Sequence, residues 1–387
     1  MRRTRAAWLI ATAGAALALA GCARKPVELV ESREAMDTLV TVRAIAPDSK
    51  TARAAIDAAW KEMDFAAKRL DRYTEDSDVS RVNRDAGGGF LTTVDPAVTS
   101  CLAAAKEAYD LTGGAFDPTV GPVLELWHKA TERGTPPTEV EIQAALGLVG
   151  MDKVEIHAFG VDKAPLPGAP GTATREGAVY LVGLYKKGMM LDLGGVEKGY
   201  IAGRMARRMQ QHGATAALVA AGGDVYALGE RPANLVPPGG DPRWAVGVQD
   251  PRYPDDREKL YTALRLRDQE VSTSGHYERG YTVGGTRYSH IVNPRTGQPV
   301  NRHLASITIV GPDPAVADAL ATGVAVLGVE KGLALVETLP GVECLLLVIP
   351  DSDFGQTDPA KVTLVPYRSS GFAALEFDPN MPAGKKD

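Results

Sequence analysis

A chain of 387 residues with 44% hydrophobic and 24% charged residues has ordinary globular composition, which excludes a disordered or fibrous protein. It is long enough to bury one large core or two smaller ones. Its net charge of −5 argues against nucleic acid as a partner.

The start has its own logic. Arg2, Arg3 and Arg5 precede an apolar run over residues 6–20, too short for a comfortable membrane span, and Leu19-Ala20-Gly21-Cys22 follows. LAGC resembles the lipobox of bacterial lipoproteins, which implies cleavage before Cys22 and lipid on its sulfur and new amino terminus. Residues 1–21 then form a signal peptide, and the loss of its three arginines takes the net charge from −5 to −8. The expected location is a bacterial membrane, facing the periplasm. Ala23 lacks the aspartate that retains lipoproteins at the inner membrane, which leans toward the outer one.

Residues 22–34 read as a lipidated cysteine and a short tether, and residues 35–377 as one domain ending in a frayed tail, 378–387. AMDTLVTVRAIA (35–46) alternates like a strand. Ile56, Ala59, Trp60, Met63, Ala67 and Leu70 recur at helical spacing over residues 50–70. Tyr73 lies just past that helix, where SDVSRVN reads as a capped turn. Asp95 caps a second helix with Pro96 at its first position. After Gly113-Gly114, Asp117-Pro118 starts a turn or helix that Pro122 interrupts. A short helix over 138–148 and strands near 154–157 and 177–184 flank a Pro/Gly-rich loop.

MMLDLGGVEKGYIAGRMARR, from residue 189, reads as a strand running out at Leu191-Asp192-Leu193, a turn at two glycines, and a helix with Lys198 in its first turn. Backbone N–H groups at such a helix start favour an anion. The glycine pair is not a GxGxxG dinucleotide fingerprint. Strands follow near 216–221, 225–228, 244–249 and 260–266. VSTSGHY (271–277) offers three hydroxyls.

YSHIVNPRTGQP (288–299) is the most informative stretch. Tyr281-Thr282-Val283 turns through Gly284-Gly285 into Thr286-Arg287-Tyr288, a hairpin whose returning strand carries His290 into a turn at 293–297. A strand at 305–310 leads to a helix at 315–327, where Asp318 and Thr322, four apart, share a face. A carboxylate and a hydroxyl are hard oxygen donors suited to Mg2+. Residues 342–349 form an apolar strand. Cys101, in a helix, and Cys344, in that strand, are either a disulfide or two buried thiols.

LDLGGVEKGY, STSGHYERG followed by YSHIVNPRTGQP, and ADALATGVAVLG, together with FDPTVGPVLELW and AMDTLVTV in this order behind a lipoprotein signal, resemble the ApbE-type FAD:protein FMN transferases. The resemblance implies an α+β fold of mixed, mostly antiparallel sheets flanked by helices. It also implies an enzyme that, with Mg2+, splits FAD and passes FMN to a threonine or serine hydroxyl of an acceptor protein, a membrane redox subunit, releasing AMP. By resemblance, Gly195, Asp318 and Thr322 would hold the metal, and His290 would be the base, its ordinary pKa of about 6.5 suiting work near neutrality. Met36, Tyr73, Ala115, Phe116, Asp117, Asp192, Lys198 and Ile291 would bind FAD. Met36 and Tyr73 suit an aromatic ring, and Asp192 suits adenine or ribose. Asp37, His276 and Asn293 depart from the family's glycine, Asp/Asn and Asp. The competing readings are an FAD pyrophosphatase, with water as nucleophile, and a non-catalytic flavin-binding lipoprotein.

Overall fold

The computed structural model describes residues 25–160, 177–275, 280–300 and 302–377. Cys22, the signal peptide, His276, the Pro/Gly-rich loop and the tail lie outside the described residues.

The chain opens with two long strands, β1 (Val27–Ala35) and β2 (Thr38–Ala46), joined by Met36-Asp37. Residues 26–34, expected as a tether, thus belong to the fold. VELVESREA pairs along its whole length with β2, and its polar residues are those of an exposed sheet edge, which masks the alternation. Met36 and Asp37 both take positive φ, 51° and 55°, as a two-residue hairpin turn of this twist requires. That backbone explains the preference for glycine at position 37, and aspartate is among the few side chains that tolerate it.

Helix α1 (Ser49–Leu70) begins at the N-cap Asp48, whose carboxylate accepts the Thr51 N–H at 2.9 Å. SDVSRVN, expected as a turn, is a two-turn helix, α2 (Asp78–Arg84), capped by Ser77. β3 (Thr92–Val94) and α3 (Pro96–Leu111) follow. Pro122 does not interrupt a helix but sits in the first turn of α4 (Gly121–Arg133), where its missing N–H costs nothing. A Thr138/Glu141 capping box starts α5 (Glu139–Leu146). Next come β4 (Val154–Phe159), β5 (Val179–Leu184) and α6 (Glu197–Gln211). Residues 191–193 are not a strand. They are a connection held by a single bridge between Val120 and Met190 and by Asn83, whose amide both donates to and accepts from the Leu191 backbone.

The remaining strands are β6 (Ala216–Ala221), β7 (Asp224–Leu228), β8 (Trp244–Gln249), β9 (Leu260–Leu266), β10 (Gln269–Gly275), β11 (Gly280–Val283), β12 (Thr286–Ser289) and β13 (Leu304–Gly311). Helix α7 (Pro314–Val336) runs nine residues past its expected end, through a break at Gly328. β14 (Glu343–Val348), β15 (Val365–Arg368) and β16 (Glu376–Phe377) complete the fold.

Eight strands form one antiparallel sheet in the order β1-β2-β6-β7-β10-β13-β14-β15. Period-two alternation sends Val40, Val42, Val219 and Ala221 toward α1, α3 and α6, and Ile307, Ile309 and Leu346 toward α7. The opposite residues, among them Ile45, Leu218, Leu345 and Leu347, pack on the small sheet β16-β9-β8 through Trp244 and Val246. Cys101 and Cys344 are both buried free thiols, in separate clusters. This is a mixed α+β architecture with antiparallel sheets.

Candidate active site

The site forms where α6 begins, against α7 and one end of the large sheet. Two glycines of α6, four residues apart, let α7 approach. A Cβ on Gly199 would lie 2.1 Å from the Pro314 carbonyl oxygen, and one on Gly203 would lie 2.4 Å from Pro314 Cγ. That approach brings Asp318 to the helix start, where its carboxylate accepts the Gly199 N–H at 3.0 Å. Asp318 is buried, and burial together with the charge of Asp224 pushes its carboxyl up to about 7, against the pull of the Lys198 ammonium and backbone N–H groups.

One helical turn on, Thr322 faces Gly195. A Cβ there would lie 3.1 Å from Thr322 Oγ1 and 3.2 Å from the Phe116 ring, so a glycine keeps the backbone open at this point. Gly195 and Thr322 are therefore neighbours, one turn of α7 from Asp318, and a hydroxyl and a carboxylate so placed are hard oxygens that fit Mg2+, to which the Gly195 carbonyl could add a third. Among the described residues no group of three or more His, Cys, Asp or Glu could hold a metal.

Lys198 reaches Asp224, the first residue of β7, as an ion pair, and Asp224 accepts the Ser272 hydroxyl on the other side. Asp224 and Ser272 are register partners in the sheet, so the lysine is tied to the sheet itself. Glu270, two residues away on the same strand, is fully buried with neither carboxyl oxygen hydrogen-bonded, and burial holds it well above the usual carboxylate range. The Met36-Asp37 turn lies at this same end of the sheet, since β2 starts there and Gly222, beside Asp224, abuts Thr38.

Ala115, Phe116 and Asp117 are buried on a loop after α3. The Asp117 carboxylate faces inward, accepting the Thr119 N–H at 2.8 Å and hydroxyl at 2.6 Å. Its Oδ1 is therefore engaged in shaping the loop. The Pro118 carbonyl accepts the Asp192 N–H at 2.7 Å, joining this loop to Asp192, whose Oδ1 accepts the Gly194 N–H at 2.9 Å. Tyr73 is 78% exposed, with Arg72 against it. Tyr281 and Tyr288 pack on Trp127, with centroids 6.2 and 5.0 Å away, fixing the β11–β12 hairpin to α4.

His290 is not in the returning strand, which ends at Ser289, but in the bend after it, half-buried between buried Ser289 and Ile291. Ile291 shares a cluster with Leu320 and Ala321 of α7, which ties this bend to the helix of Asp318. The following turn is pinned by Arg295, which donates to the Gly113 carbonyl, and by Trp127, whose Nε1–H donates to the Gly297 carbonyl at 2.8 Å. Sequence reasoning missed Arg72, Asp224, Ser272 and Glu270. Asp224 stands beside a glycine pair, and its partner Lys198 lies 26 residues away in the chain.

An α+β core with an anion-favouring helix start, a hard-oxygen corner and an aromatic wall defines a nucleotide-handling site. The chain belongs to the ApbE family, whose model matches residues 36–346. It is 30% identical over 374 residues to the FAD:protein FMN transferase of Vibrio cholerae, covering 94% of this chain and 99% of that protein. It is 33% identical over 292 residues to that of Treponema pallidum, covering 75% and 74%. Solved structures share the fold. The flavin transferase ApbE from Vibrio cholerae aligns with TM-score 0.67 and 25% identity over 91% of this chain and all of its own, and the ApbE protein of Thermotoga maritima with 0.68 and 28% over 92% and all of its own.

Proposed function

We propose that this protein transfers FMN from FAD to a threonine or serine hydroxyl of an acceptor protein, with Mg2+, releasing AMP. The observation that carries the reading is the corner where Asp318, Thr322 and Gly195 meet the start of α6, in a chain whose relatives are named for this activity. Pyrophosphate cleavage demands charge neutralisation, which a cation held by these oxygens would provide.

In the proposed step the acceptor oxygen attacks the FMN phosphorus, and the bond from that phosphorus to the bridging oxygen breaks. AMP leaves with that oxygen, and the hydroxyl proton passes to His290. A bound Mg2+ would supply charge neutralisation at the phosphates. Asp318, Thr322 and the Gly195 carbonyl would hold it, and Lys198, set by Asp224, would face the same anion. Tyr73 and Met36 would cover the flavin and Asp192 would orient the nucleotide. Lipid on Cys22 would place the enzyme on a bacterial membrane, facing the periplasm, beside acceptors such as membrane redox subunits.

The test incubates the mature protein with FAD and Mg2+, with and without a protein carrying a flavinylation threonine, and follows AMP and flavin fluorescence on a denaturing gel. AMP in step with covalent flavin is the expected result, and Asp318→Ala should raise the Mg2+ needed without altering the circular dichroism. AMP with free FMN would make the protein a pyrophosphatase, and binding without AMP a flavin carrier.

A further inference from the structure

The wall of the site holds a cation that no motif signals. Arg72 follows α1 with its side chain only 9% exposed. Its Nε lies 2.5 Å from Asp192 Oδ2, in an ion pair not aligned as a hydrogen bond. One terminal nitrogen donates to the Tyr73 hydroxyl at 2.7 Å, and the other meets Met190 Sδ at 3.0 Å. The guanidinium carbon stands 4.3 Å from the centroid of the Tyr73 ring, within cation–π range, and Glu125 lies 4.0 Å away. The backbone beneath is fixed as well. The Arg72 carbonyl accepts the Ser80 hydroxyl at 2.7 Å, and the Asp71 carboxylate accepts the Tyr73 N–H at 2.8 Å.

A guanidinium nine-tenths out of water is costly unless its partners repay the lost hydration, so these partners matter. With Asp192 Oδ1 already taken by Gly194, Oδ2 is the oxygen whose direction Arg72 sets. Tyr73 is mostly exposed, and a stacked, hydrogen-bonded cation restrains its ring. We infer that Arg72 is a positioning residue of the FAD site, which fixes the Asp192 carboxylate and the Tyr73 ring relative to one another so that both meet the nucleotide ready-oriented. This rests on the proposed function and adds to it a residue outside the motifs. Only a planar fork can serve both partners at once. Lysine can keep the ion pair to Asp192 but cannot also stack and donate to Tyr73 in fixed geometry.

The test is FAD titration, read as quenching of flavin fluorescence, for the wild type, Arg72→Ala, Arg72→Lys, Asp192→Asn and the Arg72→Ala/Asp192→Asn pair, with thermal unfolding as the control for folding. Arg72→Ala should weaken FAD binding at least tenfold with reduced quenching, and Arg72→Lys should recover part of the affinity but not the quenching. In the Asp192→Asn background, Arg72→Ala should cost less than in the wild type, because the shared contact is already gone. Wild-type affinity and quenching in Arg72→Ala, or effects of the two substitutions that simply multiply, would overturn the inference alone. A wild-type protein that does not bind FAD would overturn the proposed function and the inference with it.

Discussion

His290 stands at a bend whose flanking residues, Ser289 and Ile291, are both buried, so its position is set by the packing of its neighbours. As the proposed proton acceptor it would contribute to the transition state and little to ground-state binding. His290→Ala should therefore cut transfer by roughly 10²–10⁴ while FAD affinity stays nearly unchanged, as single-turnover transfer and fluorescence titration would report. A variant with full turnover would remove the residue from the mechanism. Candidate residues inside contiguous motifs, such as His290, Asp318, Thr322 and Lys198, were legible as positions from the sequence. Asp224, Glu270 and Arg72 were not, because their meaning arises from contacts across the fold. Lys198 needs Asp224 of another strand, and Arg72 needs Asp192. Asp117 was legible as a position, and the engagement of its Oδ1 by Thr119 was not.

Among the elements, α6 organises the site through what it lacks. Alanine favours a helix interior over glycine by about 1 kcal/mol, yet at position 199 its Cβ would strike backbone, which cannot move aside as a side chain can. Gly199→Ala should push α7 away, lower stability by about 1–3 kcal/mol and raise the Mg2+ needed for activity. Thermal unfolding and metal titration would show both, and a more stable, fully active variant would refute the close-contact argument. On its other side α6 is tied to α1 by Glu62, which Arg208 meets at 2.7 Å and Arg204 also pairs with. Burial pushes the Glu62 carboxyl up, but the hydrogen bonds and charges of Arg208 and Arg204 outweigh it and hold it below its ordinary 4.5. A depressed carboxylate stabilises the fold above the unfolded-state pKa and loses that contribution as pH falls through the folded one. Glu62→Gln should cost about 2 kcal/mol near neutrality, less than a fully buried pair because Arg208 is half exposed, and the gap from wild type should close as pH drops below about 4.5. Denaturant titrations at several pH values would test this. Amphipathic α1 and the capped α3 were legible from spacing and caps. The two-turn α2 was hidden by its brevity, and residues 191–193 mimicked a strand although the adjoining Val120–Met190 bridge, Asn83 and the Pro118 carbonyl hold them without a ladder.

At the scale of the whole molecule, the large sheet begins at β1, a strand whose exposure leaves little hydrophobic alternation to read. It is nonetheless well attached. Glu28 pairs with Arg43 at 3.1 Å, Ser32 meets Thr41 at 2.9 Å, and the Arg33 guanidinium lies 4.4 Å from the Trp60 ring centroid. Removing residues 25–34 should bare the β2 edge, lower the unfolding temperature by several degrees and promote aggregation, as scanning calorimetry and light scattering would register. Unchanged melting would mean the segment is dispensable.

That attachment shortens a leash. If Cys22 carries lipid, the folded body starts at Val27, and the four intervening residues span at most about 14 Å when fully extended. A globule so tethered cannot roam the compartment in search of its acceptor. It would roll against the bilayer, and the hydroxyl to be modified would have to come down to meet it, so that reach, as much as recognition, would decide which proteins receive flavin.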